Sequence, residues 1–229
     1  RSVIFKCRDS KCIKEWAKIN GVDISVSKID DFIKSISNDN CHRWWKVNLS
    51  NKYYKFKSGI LTFKHGITCV RPEMIECRRE KIKQIILPEG LLSIESCAFH
   101  DCLNLEKVIF PSTLENIEYQ AFYNCINLDN IAFPESVKKI GHAAFNGCET
   151  LCNLVFNSGL EFIDSHAFGN CRNLKSVDLP NSLVRLGGSV FAYNTSLCSV
   201  KFSNSIKSIP IDTFNRCISL TNVILPNEL

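Results

Sequence analysis

Apolar residues along this chain recur in one frame with a period of 23 residues. Each copy is led by a phenylalanine, which is followed three residues later by a small residue and six residues later by a leucine. Two further apolar positions, separated by one residue, complete the copy. The six phenylalanines are Phe99, Phe122, Phe145, Phe168, Phe191 and Phe214. Six phased copies of so short a frame predict a solenoid, in which each coil buries its apolar side against the next coil.

Each copy contains a short stretch in which inward and outward positions alternate. In one copy, Ile131 and Phe133 alternate with Asn130 and Ala132, a pattern that predicts a short, half-buried strand. A proline follows this stretch in most copies and ends the strand, because proline has no amide donor. Residues 137–140 predict a second extended piece before the chain turns back. The phenylalanines, all at one height, are expected to stack as an aromatic spine.

The run from Val137 to Leu151 resembles the consensus of BspA-type, or Treponema-type, leucine-rich repeats, and residues 117–125 and 163–171 resemble it as well. The resemblance covers about residues 85–229. It implies an α/β, β-dominated leucine-rich-repeat solenoid, with a parallel β-sheet on the concave face and short strands or helical turns on the convex face. It also implies a protein-binding or adhesive role at the cell surface or in secreted form, and it brings no catalytic residues.

One feature of the family pattern is kept in only part of the array. The family has a glycine after the second strand, and this chain keeps it only at Gly141 and Gly187. The other copies carry a carboxylate or a proline at that position. We expect these replacements to loosen the convex-side turn and to leave the strand frame intact.

The solenoid is predicted to span residues 59–229, with a degenerate first copy at residues 59–84. In this copy Leu61 corresponds to Ile85, and Ile75 takes the place of a frame phenylalanine. Terminal coils are expected to be atypical because they seal the core against water. The chain begins without a methionine, which indicates a processed, tagged or excised chain. It ends directly after a predicted strand, so we expect either that the array continues in a longer protein or that a bare strand edge is exposed.

Residues 1–58 lie outside the period and predict a small α+β capping region. Helices are predicted at residues 11–20 and 27–37. Two strands, at residues 44–49 and 52–57, are predicted to form a hairpin.

The charge is divided unevenly along the chain. Residues 1–84 carry 19 lysines and arginines against 9 acidic residues, whereas residues 85–229 carry 9 against 14. Residues 43–57 interleave basic with aromatic side chains, a mixture that nucleic-acid binders use. A half-buried hairpin with its rings inward and its lysines outward explains the same pattern more simply. Nucleic acid therefore stays an alternative partner.

Thirteen cysteines are present, and five of them occupy one position of the frame. These five are Cys102, Cys125, Cys148, Cys171 and Cys217, while the remaining copy has Asn194 in their place. We predict reduced, buried thiols, because an in-register stack presents parallel Cβ vectors and a disulfide needs a near-perpendicular torsion. Asn194 begins an N-glycosylation sequon, yet its frame position points inward.

No catalytic, metal or cofactor site is predicted. Cys7, Cys12, Cys41 and His42 are residue types that bind zinc, but their spacing is unlike that of structural zinc sites. His100, His142 and His166 stand at differing offsets from their phenylalanines, so we predict solvated turn residues that form no ladder. The chain has no nucleophile motif and no phosphate-binding loop, and we predict that it is not an enzyme.

The outward strand positions are the candidate binding residues, because the frame does not dictate their side chains. The selected residues are Ile86, Lys107, Ile109, Asn130, Ala132, Asn153, Val155, Asp178 and Lys201. The four apolar residues among them form a stripe across adjacent strands, and the stripe gives way to charge at Asp178 and Lys201. An exposed apolar strip flanked by charge is typical of a protein-binding site. The alternative is a surface covered by further sequence or by packing.

These observations predict a non-enzymatic protein-binding module that recognises a partner or host protein through its concave face. By the family resemblance, its setting is a cell surface or the secreted fraction. The alternative is an intracellular, cytoplasmic or nuclear, scaffold or nucleic-acid-associated protein that contacts its partner through the basic N-terminal region.

Overall fold

The computed structural model describes residues 53–227. The chain divides into two units, Arg1–Lys52 and Tyr53–Leu229, and the described residues belong to the second. The helices predicted at residues 11–20 and 27–37 and the strand predicted at residues 44–49 lie outside the described residues. The predicted α+β capping region therefore stays a prediction.

The described residues form a solenoid of mainly parallel strands, in which each coil contributes one longer strand and each of the first six coils also contributes a shorter strand. The chain enters through β1 (Tyr54–Lys57). The longer strands are β2 (Ile60–Phe63), β4 (Gln84–Ile86), β6 (Lys107–Ile109), β8 (Asn130–Ala132), β10 (Asn153–Val155), β12 (Ser176–Asp178), β14 (Ser199–Lys201) and β15 (Asn222–Ile224). The shorter strands are β3 (Cys69–Val70), β5 (Ser93–Ile94), β7 (Asn116–Ile117), β9 (Lys139–Ile140), β11 (Phe162–Ile163) and β13 (Arg185–Leu186).

Strand pairing follows the 23-residue frame. Val177 pairs with Val200, and Val200 pairs with Val223, in parallel register. The shorter strands β3 to β13 form one six-stranded sheet. The predicted register is confirmed, and the predicted second extended piece is a strand in every copy except the one that contains Phe214.

The longer strands form a sheet that is interrupted twice. Its segments are β1-β2-β4-β6, β8-β10 and β12-β14-β15. Within residues 53–227, no strand ladder joins β6 to β8 or β10 to β12. On the N-terminal side of each gap the inward strand residue, Val108 or Leu154, is only half-buried, whereas Ile131 and Val177 beyond the gaps are buried. The predicted parallel sheet is present, but it is segmented.

The frame phenylalanines form the predicted spine. Successive ring centroids from Phe99 to Phe214 lie 5.1, 5.0, 5.4, 6.0 and 6.0 Å apart, with nearly parallel planes. A second column runs through Phe110, Phe133 and Phe156 and meets the spine edge to face. Burial of one such ring stabilises the fold by roughly 1.5–3 kcal/mol, and a stacked pair adds about 0.5–1.5 kcal/mol.

The buried set predicted for one coil is confirmed. Ile131, Phe133, Ile140, Phe145, Cys148 and Leu151 are all buried. The expectation that the same set is buried in every coil is wrong. Val108, Phe110, Leu154 and Phe156 are half-buried. In the last coil Val223 and Leu225 are exposed and Phe214 is half-buried. Among the described residues, no further coil packs against these side chains.

The cysteine position is an interior hydrogen-bonding column. Four of the five thiols, all except that of Cys102, donate to the carbonyl of the phenylalanine that lies 26 residues earlier. The Sγ–O distances are 3.2 Å for Cys125, 3.5 Å for Cys148, 3.4 Å for Cys171 and 3.0 Å for Cys217. Burial raises the pKa of the Cys102 thiol to about 12 and raises the pKa values of Cys125 and Cys148 well above their usual range. These thiols stay protonated at neutral pH because the interior disfavours a thiolate.

The first coil has the predicted correspondence with the frame. Leu61 pairs with Ile85 and Val70 pairs with Ile94. Ile75 is fully buried, and so is Phe99, its counterpart in the next coil. Two short 3₁₀ helices, Pro72–Met74 and Glu76–Lys81, flank Ile75. The degenerate first copy is therefore a solenoid coil with a different turn.

A hairpin covers the N-terminal edge of this coil. β1 runs antiparallel to β2, and Lys57 pairs with Ile60 across a two-residue turn. Both turn residues have positive φ, 50° at Ser58 and 82° at Gly59, as the tight primed hairpin turns require. The hairpin joins residues on both sides of the boundary predicted between residues 58 and 59.

The expected loosening of the turn after the shorter strands is not observed. The amides of Glu95, Glu118 and Asp164 donate to the preceding coil over 2.9 Å each, much as those of Gly141 and Gly187 do over 2.7 and 2.8 Å. Left-handed backbone is found elsewhere in each turn, two residues before and two residues after the phenylalanine. Examples are Gln120, Asn124, Ala143, Gly147, Ser189 and Tyr193. Most of these residues carry a Cβ, which disfavours this conformation.

Candidate protein-binding face

The outward residues of the longer strands form two rows, which together we call the long-strand face; it corresponds to the face predicted to be concave. The stripe row contains Lys55, Thr62, Ile86, Ile109, Ala132, Val155, Asp178, Lys201 and Ile224. The amide row contains Lys57, Ile60, Gln84, Lys107, Asn130, Asn153, Ser176, Ser199 and Asn222. All nine predicted binding residues lie in these rows.

The predicted apolar stripe is composed of two adjacent pairs. Ile86 pairs with Ile109, and Ala132 pairs with Val155. Ile109 is 40% exposed and Val155 is 59% exposed, Ala132 is exposed, and Ile86 is half-buried. The gap between β6 and β8 separates the two pairs, so the stripe is less continuous than the sequence indicates.

Polar contacts fix the neighbouring positions of this face. The Asn153 amide donates to the Asn130 side-chain oxygen over 2.6 Å. Beyond Val155, the Lys201 ammonium lies 3.1 Å from the Asp178 carboxylate. An exposed ion pair of this kind contributes only about 0–1 kcal/mol. Its two charges offset each other, so this end of the face has little net charge to offer a ligand.

The sequence interpretation missed four residues of this face, namely Lys55, Lys57, Ile60 and Thr62. They join it because β1 pairs with β2, and cross-strand partners point to the same side of a sheet. The signal was a Ser-Gly dipeptide between two alternating runs, 54–57 and 60–63, which is typical of a two-residue hairpin.

The basic and aromatic run at residues 43–57 is described only in its last residues. There Tyr54 is buried and Phe56 is half-buried, and the Arg78 guanidinium lies 5.0 Å from the centre of the Phe56 ring. Lys55 and Lys57 are exposed. In this stretch the rings face inward and the lysines face outward, as the simpler hairpin explanation predicts. Of the described rings, that of Tyr54 is thus not available for stacking under a nucleobase.

The three histidines were predicted to be solvated turn residues, but each of them packs against a neighbouring ring. His142 stacks on Tyr119 with ring centroids 5.5 Å apart and meets His166 at 5.4 Å, while His100 stacks on Tyr123 at 4.9 Å. A tyrosine supplies the partner ring at the same frame position as the histidine, and a pattern of histidines alone does not reveal it. His166 is exposed, and His100 and His142 are half-buried.

Within residues 53–227, no group of three or more histidine, cysteine or acidic side chains is placed to hold a metal ion. The zinc candidates Cys7, Cys12, Cys41 and His42 lie outside the described residues. In the part of the chain that the structure describes, no helix is long and apolar enough to cross a membrane.

The family model for the BspA-type leucine-rich-repeat region matches residues 76–198 and 116–229. The chain belongs to this family. No curated protein sequence matches it. Leucine-rich-repeat proteins are generally non-catalytic binding modules.

Two solved structures of leucine-rich-repeat proteins resemble this BspA-type chain. The T. pallidum protein TpLRR is 26% identical, with a TM-score of 0.63 over 76% of this chain and 79% of that one. A protein from Bacteroides ovatus is also 26% identical, with a TM-score of 0.62 over 77% of this chain. This chain spans about half of the Bacteroides protein, covering 52% of it.

Proposed function

We propose that this BspA-type protein is a non-enzymatic module that binds a protein partner through its long-strand face and serves adhesion or partner recognition. The observation that carries the proposal is the exposed apolar stripe, in which Ile109 and Val155 project outward from strands whose inward residues, Val108 and Leu154, pack against the core. Exposed isoleucine and valine are unfavourable in water, and their burial under a partner recovers about 25 cal/mol per Å².

We further propose that the protein works at a cell surface or in secreted form. Membership in the BspA-type family supports this setting. The nucleic-acid alternative loses support, because the described rings of the basic run face the interior.

The proposal is tested by capturing partners from cells with the immobilised chain. Replacing Ile109 and Val155 together by aspartate should abolish capture and leave the thermal unfolding transition nearly unchanged, since neither side chain packs in the core. The matched control places aspartate at Leu92 and Val184, which are 44% and 63% exposed beside the shorter strands. Capture that is lost with the control pair and retained with the Ile109 and Val155 pair would contradict the proposal.

A further inference from the structure

We infer that the partner presents a peptide segment with an acidic end followed by apolar side chains, which lies across the strands of the long-strand face. The inference rests on the proposed function and specifies the chemistry of its partner. The acidic end would lie over the lysines of β1 and β6, and the apolar side chains would lie over the stripe.

Cations are concentrated at the N-terminal end of the long-strand face. Lys55 and Lys57 begin the two rows, and Lys107 follows in the amide row. All three are exposed, and within residues 53–227 none of them forms an ion pair. The nearby Lys83 does not add to this positive charge, because its ammonium lies 3.8 Å from the Glu106 carboxylate.

The other end of the face lacks this excess of charge. Asp178 and Lys201 neutralise each other at 3.1 Å, and the intervening amide-row residues Asn130 and Asn153 are uncharged and bonded to each other. Cations at one end and exposed apolar side chains in the middle are complementary to a ligand whose charge is confined to one end. Such complementarity determines orientation and partner choice more than total affinity.

The dimensions favour a short segment. From β1 to β10 the face crosses five strand intervals, or roughly 24 Å at about 4.8 Å each. An extended peptide covers this distance with about seven residues at about 3.3 Å each. A segment of that length reaches from Lys55, past Ile86 and Ile109, to Val155.

The same lysines could attract a nucleic acid, but the apolar stripe disfavours that ligand. Single-stranded nucleic acid is bound by cations together with exposed aromatic rings. The stripe row contains only aliphatic, hydroxyl-bearing and charged side chains, and the nearby rings of Tyr54 and Phe56 point inward. Aliphatic side chains are better complements for the apolar residues of a peptide.

The probe is a fluorescein-labelled peptide of about ten residues, in which a block of glutamates precedes alternating leucines and serines. Its binding to the full chain is measured by fluorescence anisotropy at several salt concentrations. A second peptide has lysines in place of the glutamates, and a third has serines in place of the leucines. A short single-stranded RNA of the same label is measured in parallel.

The glutamate and leucine peptide should bind, and its affinity should fall as salt screens the lysines. The double variant Lys55→Glu, Lys57→Glu should weaken binding at least tenfold and remove most of the salt dependence. The matched control is Lys138→Glu with Lys207→Glu, two exposed lysines at one equivalent frame position beside the shorter strands; it should change the affinity less than twofold. Thermal unfolding of both variants verifies that they fold.

Equal binding of the lysine peptide, unchanged binding by the Lys55 and Lys57 variant, tighter binding of the RNA, or no detectable binding of the glutamate and leucine peptide would each overturn the inference. Cellular capture separates this failure from failure of the proposed function. If capture requires Ile109 and Val155 and is indifferent to Lys55 and Lys57, only the inference is wrong. If capture requires neither pair, the proposed binding face is wrong as well.

Discussion

The side-chain amide of Asn194 donates to the carbonyl of Phe168 over 3.0 Å, in the place where a cysteine thiol donates in the neighbouring coils. Its oxygen accepts the backbone N–H of Cys171 over 2.7 Å. At this column position Asn194 thus replaces the thiol as a small side chain that donates to the phenylalanine carbonyl of the preceding coil. Asn194 is fully buried, so the sequon that begins there is inaccessible to glycosylation in the folded protein.

Asn194→Ala should destabilise the protein by roughly 1–3 kcal/mol, because the Phe168 carbonyl and the Cys171 N–H both lose a partner in the interior. Asn194→Cys should cost less, since a thiol restores the donor to Phe168. The free energy of unfolding in urea measures the difference. An equal loss for the two variants would show that the thiol contributes no more than a methyl group.

The buried thiols should make the fold sensitive to alkaline pH. The pKa of Cys102 is raised to about 12, whereas an unfolded cysteine ionises near 8.5. Between these values the unfolded state has lost its proton and the folded state has kept it. The stabilising contribution of the neutral thiol is therefore complete below about pH 8.5 and declines by up to about 1.4 kcal/mol per pH unit above it.

The alkaline effect is measured by comparing unfolding free energies of the wild type and Cys102→Ala between pH 8 and 11. The advantage of the wild type over the variant should shrink as the pH rises. Leu151→Ala is the control, because it truncates a buried side chain that carries no titratable group and should give a difference that does not vary with pH. A constant difference for Cys102→Ala would contradict the burial argument.

Thiol reactivity should separate the interior column from the exposed cysteines that precede β10 and β14. Cys152 and Cys198 are exposed and should react with a thiol reagent in the native protein, whereas Cys125, Cys148 and Cys171 should react only after denaturation. Mass spectrometry of labelled peptides identifies the sites. A Cys125–Cys148 disulfide in the peptide map would contradict the column of reduced thiols.

Cys148→Asp should cost several kcal/mol, because an unpaired carboxylate would enter the core. Cys152→Asp, four residues along and exposed, is the control and should be nearly neutral. Cys148→Ala should be mild by comparison with Cys148→Asp. Urea unfolding of the three variants provides the test, and a neutral Cys148→Asp would place this residue outside the core.

Two adjacent alanines should respond differently to glycine. Ala143 has a φ of 52°, where glycine removes the strain of a Cβ, so Ala143→Gly should change stability by less than about 0.5 kcal/mol. Ala144 is fully buried without a positive φ, and Ala144→Gly should cost about 1 kcal/mol or more. Thermal or urea unfolding ranks the two variants; the reverse order would contradict the assigned turn geometry.

Local periodicity was sufficient to predict the coil. The spacing of Ile131, Phe133 and Ile140 identified which side chains enter the core, because a stack of identical coils can bury only residues that recur at one period. The same argument predicted the phenylalanine spine and the burial of Cys148. It also placed the candidate residues Ile109 and Val155 outward, since they alternate with inward positions.

The partner residues across coils were harder to predict. His142 contacts Tyr119 and His166, and these rings differ in residue type or in frame position. A search for one recurring residue misses such contacts. The gaps between β6 and β8 and between β10 and β12 were likewise not predictable, because the 23-residue spacing of the sequence continues unchanged through both places.

The sequence by itself determined the fold family, the 23-residue register and the direction in which each strand residue points, because these follow from a repeated local pattern. Only the tertiary structure decided that β1 pairs with β2 and brings Lys55 and Lys57 beside Ile60 and Thr62. The residues of β1 lie outside the repeat. Hydrogen bonding and burial, rather than a sequence period, therefore select their partners. The basic end of the long-strand face is therefore a property of the folded chain.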